Sequence, residues 1–261
     1  MKIIEDIQTW RTIQDQLDSA FDIGFVPTMG ALHKGHLSLV KQSMSENKIT
    51  VVSIFINRAQ FNNTDDYLNY PKTLENDIAL LKTCNVDYCF LPTEEALYPE
   101  EQKIDFNIQH PLSKKFEGYI RPGHFEGVLT VVMKLFQIIQ PDRAYFGEKD
   151  YQQYQLIKTM AQEFFLNTEI IGCPTIRESS GLPFSSRNAR LTYQDKILAA
   201  RATKIIHRTH ASNLNEIKRI LNTMNIEIDY LDVYNKRVLS AIKIGNIRLI
   251  DNFIPEKEAI C

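Results

Sequence analysis

Ile23-Gly24-Phe25-Val26-Pro27-Thr28-Met29-Gly30-Ala31-Leu32-His33-Lys34-Gly35-His36-Leu37 is the stretch on which the fold turns. An apolar run, Ile23 to Val26, is followed by a glycine-bearing turn and then by a helical pattern from Leu37 onward. This is the order strand, turn, helix start. Such a junction presents backbone amides and the positive end of a helix dipole, a combination suited to an anion such as phosphate. Gly35, flanked by His33 and His36, is expected to let the backbone turn tightly and a polyphosphate approach. Two ordinary loop histidines are the competing reading.

The same alternation continues outward. Short apolar runs rich in Val, Ile and aromatics at 22–27, 49–56, 86–91, 143–146 and 168–173 are expected strands, buried on both faces. Helical patterns lie between them at 7–17, 37–45, 74–83, 125–139 and 152–164. In the fourth, Val128, Val131, Val132, Leu135, Phe136 and Ile139 recur at helical spacing as a core-packing stripe. Alternating strand and helix predict a Rossmann-like parallel α/β sheet flanked by helices, with ligands beyond the carboxyl ends of the strands. The pattern changes after Cys173-Pro174. Thr192 with Asp195 caps one helix to about residue 210, and Asn213 with Glu216 caps another to about 224. Strand-like runs follow at 226–233 and 247–250. The expected organisation is a Rossmann-like domain over 1–174 and a smaller C-terminal α+β domain over 175–261.

Bulk properties narrow the function classes. The 261 residues are 44% hydrophobic, enough for a sizeable core, and 30 Lys plus Arg nearly balance 32 Asp plus Glu. No basic tail points to nucleic acid and no polybasic surface to a membrane. No apolar run approaches the roughly 20 residues of a membrane span. The N-terminus turns acidic at Glu5-Asp6 without a signal-like apolar region, and Cys84, Cys89, Cys173 and Cys261 form no Cys-x-x-Cys pair. Reduced thiols and a cytoplasmic location are expected. Cys261 stands last, so it is not a prenylation box.

Further segments carry candidate chemistry. In Gly147-Glu148-Lys149-Asp150, Gly147 permits close approach and Lys149 supplies a compact cation. Asp150 either caps the next helix or accepts from ribose hydroxyls. Gln152 and Gln153 are adjacent near that helix start and point to different sides. Ser185-Ser186-Arg187 lies in a Gly- and Pro-bearing run, 177–188. That run is either a solvated linker or a mobile loop that closes over phosphates, to which arginine donates bidentately. Gln60, in the amide-rich run 57–66, suits a small polar acid or is one residue of an ordinary polar loop. Arg121-Pro122-Gly123-His124 offers a cation and an imidazole, or simply a turn before a helix. His207 and His210 share a helix face at i, i+3 with no third ligand evident, which favours a solvated surface over a metal site.

His-x-Gly-His is the motif of nucleotidyl-transferring enzymes that break ATP between the α and β phosphates. With 55–61, 70–73, 121–136, 141–153, 177–188 and 247–252 in the same order, the chain resembles the pantoate–β-alanine ligase (pantothenate synthetase) family of the HIGH-motif nucleotidyltransferase superfamily. The resemblance implies a homodimeric adenylate-forming ligase with a Rossmann-like domain and a smaller lid domain. It implies that ATP is contacted by Met29, Gly30, Ala31, Leu32, His33, Lys34, Gly35 and His36, by Gly147, Glu148, Lys149 and Asp150, and by Ile176, Phe184, Ser185, Ser186 and Arg187. Pantoate falls to Gln60 and Gln153 with Met29 and Arg121, and Gln60 also meets β-alanine. His36, His33, Lys149 and Arg187 would serve catalysis, with Mg2+ accompanying ATP.

The chain departs from the family at Arg58, where Pro is usual, at Asn62 for Gly, at Lys72 for Arg and at Phe184 for Met. Arg58 and Asn62 flank Gln60, so they bear on the geometry of the acid site. Two other readings differ in their products. A nucleotidyltransferase acting on a phosphorylated small molecule releases a nucleotide-diphosphate product. A non-catalytic ATP-binding regulator would lack the catalytic cations, yet His33, His36, Lys149 and Arg187 are all present.

Overall fold

A computed structural model of the chain describes residues 1–210 and 212–255. The chain divides into two compact units, Met1–Pro174 and Thr175–Cys261.

The first unit holds six strands: β1 (Lys2–Ile4), β2 (Ile23–Thr28), β3 (Ile49–Ile54), β4 (Tyr88–Phe90), β5 (Arg143–Gly147) and β6 (Glu169–Cys173). They form one sheet in the order β1-β4-β3-β2-β5-β6, and each pairing is parallel. Helices Ile7–Gln14, Lys34–Glu46, Leu74–Thr83, His124–Ile139 and Tyr151–Glu163 connect and cover them. Residues of both faces are buried, as in Phe25, Val26, Val51 and Val52, because helices lie on each side. The helix His124–Ile139 buries more than the expected stripe, with Leu129, Thr130 and Ile138 also inside. Gly127 lets that helix press on the 58–60 turn: a Cβ there would lie 2.5 Å from the Ala59 carbonyl oxygen and 2.8 Å from the Gln60 nitrogen. The strand β1 was not expected; three residues are too few to show a period.

Strand order runs outward from β2 through β3 to β4 in one direction and from β5 to β6 in the other. The reversal falls between β2 and β5. In such sheets the crevice beyond the strand ends at the reversal is where ligands bind. Both motif-bearing loops begin there, at Met29 and at Glu148.

The second unit is an α+β domain. Helices Tyr193–Ile206 and Leu214–Thr223 pack with a three-stranded antiparallel meander, β7 (Glu227–Tyr234), β8 (Arg237–Ile244) and β9 (Ile247–Phe253). The Thr192–Asp195 capping box is present. Asn213 does not cap its helix; its side chain accepts from His210 N (2.7 Å) and donates to Arg208 O (2.8 Å), which turns the chain between the helices. The strand β8 was not anticipated. Its Val238-Leu239-Ser240-Ala241-Ile242 core is apolar on both faces, and periodicity cannot tell such a run from a buried helix. The turn before it is two non-glycine residues at positive φ, Asn235 (48°) and Lys236 (65°).

Cys84, Cys89 and Cys173 are free thiols, and Cys261 lies outside the described residues. Among the described residues no helix is long and apolar enough to cross a membrane.

Candidate active site

The turn after β2 is tight, but not at Gly35. Gly30 (φ 79°) and Ala31 (φ 50°) adopt the left-handed conformation, while Gly35 lies in the first turn of the helix Lys34–Glu46. His33 is the N-cap: its Nδ1 accepts a long hydrogen bond from His36 N, 3.4 Å, so a neutral His33 carries its proton on Nε2. The two imidazoles stack with centroids 4.0 Å apart.

The backbone amides of this loop are directed differently from the sequence expectation. Ala31 N and Leu32 N donate to Oδ2 and Oδ1 of Asp77, each at 2.8 Å, and Gly30 N donates to Thr28 Oγ1 at 3.2 Å. An anion at this edge therefore meets side chains more than a ring of amides.

Burial strips the charge from the imidazoles. His33 is pushed down to about 4, first by desolvation and then by the Lys149 ammonium, against a smaller opposing pull from Asp150. His36 lies well below its ordinary 6.5, through desolvation, then His33 and Lys149. His36 Nδ1 is buried without a hydrogen-bond partner. Near neutral pH both rings are uncharged, and Lys149 is the cation that acts on both. These couplings bring the 147–150 segment and the His-x-Gly-His loop into one site, as the β2–β5 pairing requires. Lys149 Nζ lies 3.7 Å from Asp150 Oδ2. Asp150 occupies the helix N-cap position, yet its side chain makes no capping bond. Gly147 has open space where a Cβ would be.

A second cluster follows β3. Gln60 is buried in the turn Arg58–Gln60. Its Oε1 accepts from Asn57 Nδ2 (3.1 Å), and its Nε2 points at Met29 Sδ (3.0 Å). Asn57 is set in turn by Gly127 O (3.1 Å) and by the Tyr98 hydroxyl (2.9 Å). The Gln60 carbonyl accepts from His124 Nδ1 (2.7 Å) and Arg121 Nη2 (3.2 Å). Arg121 Nη1 meets His124 Nε2 at 3.0 Å. Arginine only donates, so His124 is the Nδ1–H tautomer. Burial, then the Arg121 charge, holds it neutral by pushing it down to about 4. His124 also feels Asp150, which ties this cluster to the first.

Three of the departures settle around Gln60 without displacing it. Asn62 Nδ2 donates to Pro122 O. Arg58 and Lys72 each stand 5.9 Å from the Tyr67 ring centroid. Gln152 is buried and clamps Glu117 N, Leu112 O and Lys115 O, and Gln153 is half-buried, so neither glutamine is simply solvated.

The segment 177–188, in the second unit, is an ordered turn. Arg177 pairs across to Pro183, and Glu178 N donates to Leu182 O at 2.8 Å. The Arg177 guanidinium grips both Asp251 oxygens at 2.8 Å and the Gly181 carbonyl at 3.1 Å. Asn188 Nδ2 closes the loop onto Glu178 (2.9 Å) and Pro183 (2.9 Å). Ser185 Oγ accepts from Arg187 N at 3.3 Å. Phe184, Ser185, Ser186 and Arg187 are half-buried, and Ile176 is 37% exposed. His207 belongs to this anchor, with Nε2 3.0 Å from Asp251 Oδ2, and not to a metal pair with His210.

Asp77, Asn57, Tyr98 and Asp251 were missed as functional supports in the sequence. Their only signal was a polar residue at a buried spacing, such as Asp77 four residues before Leu81 on one helix face. Among the described residues no group of three or more His, Cys, Asp or Glu side chains is placed to hold a metal ion.

A family model for pantoate-beta-alanine ligase matches residues 2–254. A pantothenate synthetase of Coxiella burnetii is 48% identical over 260 residues, covering 100% of this chain and 99% of the relative. One from Francisella tularensis is 45% identical over 261 residues, covering 100% of both. A Francisella tularensis pantoate-beta-alanine ligase, solved with β,γ-ATP and β-alanine, superimposes with a TM-score of 0.94 at 46% identity, over 97% of each chain. A pantothenate synthetase of Thermus thermophilus superimposes at 0.89 and 37% identity, over 97% of this chain and 99% of that one.

Proposed function

The chain belongs to the pantoate–β-alanine ligase family, and from that premise we propose how its residues share the chemistry. The reaction is the ATP-dependent condensation of pantoate with β-alanine to give pantothenate, AMP and pyrophosphate. A carboxylate is a poor acyl donor because its leaving group would be oxide. Attack of a pantoate carboxylate oxygen on the ATP α-phosphorus expels pyrophosphate and leaves pantoyl adenylate. The β-alanine amine then attacks the acyl carbon, and AMP departs. No side-chain nucleophile is required; positioning and charge stabilisation suffice.

The ATP side comprises Met29 through His36 together with Gly147, Glu148, Lys149 and Asp150. Lys149 neutralises charge that develops on the phosphates. His33 and His36, uncharged near neutral pH, enter as N–H donors, and a bound triphosphate raises their proton affinity. Asp150 accepts from ribose hydroxyls. From the second unit, Ile176, Phe184, Ser185, Ser186 and Arg187 are assigned to the nucleotide. Gln60, Gln153, Met29 and Arg121 take pantoate, and Gln60 also takes β-alanine. Mg2+ accompanying ATP would neutralise phosphate charge alongside Lys149. We further assign the enzyme to the cytoplasm as a homodimer, with small molecules as its other partners. The free Cys84, Cys89 and Cys173 fit a reducing compartment.

One observation supports this reading above the others: at the strand-order reversal, a loop of stacked neutral imidazoles beside Lys149 stands next to a cluster built on the buried amides Gln60 and Asn57. Incubation of the purified protein with ATP, pantoate and β-alanine is expected to yield pantothenate and AMP in equal amounts. ADP in place of AMP, or no pantothenate, would refute the assignment.

A further inference from the structure

We infer that Asp77 is the positioning residue of the ATP loop: its buried carboxylate holds the 29–33 turn in the one shape that presents His33 and His36 to the phosphates. Asp77 is 1% exposed. It stands in the first turn of the helix Leu74–Thr83, away from the reacting groups in sequence and absent from every residue set assigned above. Each of its oxygens takes one amide of the loop, Leu32 N on Oδ1 and Ala31 N on Oδ2, both at 2.8 Å. Thr73 Oγ1 donates to the same two oxygens at 3.1 and 3.2 Å, which fixes the carboxylate plane. The carboxylate is acceptor-only, and each oxygen is engaged by donors.

The turn it holds is one the chain would otherwise resist. Ala31 has a Cβ and yet adopts φ 50°, directly after Gly30 at 79°. A non-glycine residue in that region persists only when its surroundings over-determine it. Two charge-assisted bonds to consecutive amides supply that determination. Gly30 is fitted to the same group: a Cβ there would stand 3.1 Å from Asp77 Oδ2. Two residues further along, His33 caps the helix and stacks on His36. A rotation of the Ala31–Leu32 peptide would therefore carry the cap and both rings with it. Asp77 also turns two amides inward that an unanchored loop would offer to an anion. It thus selects side chains, not this stretch of backbone, as the phosphate-facing groups.

The test is Asp77→Asn in the full chain, read by the imidazole 15N resonances of His33 and His36 without ligand and by pantoate-dependent ATP–pyrophosphate exchange. The amide keeps the shape of the carboxylate but sets an NH2 against one of the loop's N–H donors. Both histidine signals are expected to shift. The turnover of exchange is expected to fall about tenfold or more, as displacement of reacting groups by about an ångström does, with the KM for pantoate within about twofold. Asp87→Asn is the control, since Asp87 also accepts a backbone amide in the same unit, Thr50 N at 2.8 Å, and should leave the histidine signals and the turnover as they are. If Asp77→Asn fails to fold, Thr73→Val removes the hydroxyl that orients the carboxylate and should shift the same signals and lower turnover a few-fold. The inference rests on the assignment of the 29–36 loop to ATP, and the two readouts separate the failures. Unshifted histidine signals in a folded Asp77→Asn or Thr73→Val overturn the positioning role. Shifted signals with undiminished exchange overturn the loop's assignment to ATP, and the catalytic consequence of Asp77 with it.

Discussion

After β2 and β5, two half-buried, stacked imidazoles lose their charge to desolvation, and the Lys149 ammonium acts on both. After β3, the adjacent loop gathers neutral amides instead: Gln60 is held through its side chain by Asn57 and through its carbonyl by Arg121 and His124. In the first region the imidazoles are uncharged, His36 Nδ1 has no hydrogen-bond partner, and the Lys149 ammonium acts on both rings. In the second, Gln60 is held by hydrogen bonds at Oε1, Nε2 and its backbone carbonyl. A group that meets charge appearing in a transition state must be poised but not already compensated. A group that recognises a small acid must be held still, so that little ordering entropy is lost on binding. The contrast predicts that variants on the first side lower turnover and variants on the second side weaken substrate capture.

The largest effects are expected on the first side. Lys149→Ala and His36→Ala should each lower single-turnover adenylate formation roughly 100- to 1000-fold, the usual loss when one transition-state contact is removed. The KM for pantoate should change little in both. A variant that instead raised the KM for pantoate at full turnover would erase the distinction between the two regions.

A smaller effect is expected from the second side. Gln60→Ala takes from Asn57 Nδ2 its acceptor Oε1 while the backbone carbonyl keeps its Arg121 and His124 donors, at a cost of about 1–3 kcal/mol. The apparent Kd for pantoate should rise roughly tenfold or more by that cost, with ATP affinity measured calorimetrically unchanged. Gln153→Ala should act in the same sense. Parallel loss of ATP binding would show that Gln60 serves the nucleotide.

A last effect, on stability and not on turnover or capture, is shared by both regions. His33 and His124 are neutral in the folded protein down to about 4, and His36 is likewise held well below its ordinary value, whereas the unfolded chain protonates them below about 6.5. The unfolded state thus binds more protons in that window. Stability is fully present above 6.5 and declines as the pH is lowered toward 4, on the order of a few kcal/mol in all. Denaturant midpoints across this range should show the slope, and His124→Gln should flatten it. A flat profile in the parent protein would mean that the imidazoles are solvated.

The legibility of these features in the sequence follows their physics. The switch-point loops could be read because strand, turn and helix signals are local: Ile23–Thr28 and Lys34–Glu46 sit within a few residues of their expected bounds. The helix Leu74–Thr83 could be read for the same reason. Asp77 on that helix was not recognised as a support, because its partners Ala31 and Leu32 lie 46 and 45 residues away in sequence. The tight turn was assigned to Gly35 because glycine is the visible permissive residue, while Ala31, which takes the strained conformation, does so only under tertiary constraint. In the second unit, β8 escaped notice for want of a polar alternation and of a glycine in the turn that precedes it. Gln60, Arg121 and His124 were each visible as polar residues near strand or helix ends. Their convergence on one carbonyl was a property of the fold alone.

Under the proposed mechanism, pantoate is activated as its acyl adenylate before any amine is needed. Isotope exchange between pyrophosphate and ATP, measured with pantoate present and β-alanine withheld, reads that step alone. Exchange is expected to require pantoate and to proceed without β-alanine. Exchange that is absent until β-alanine is added, or that runs equally well without pantoate, would contradict it.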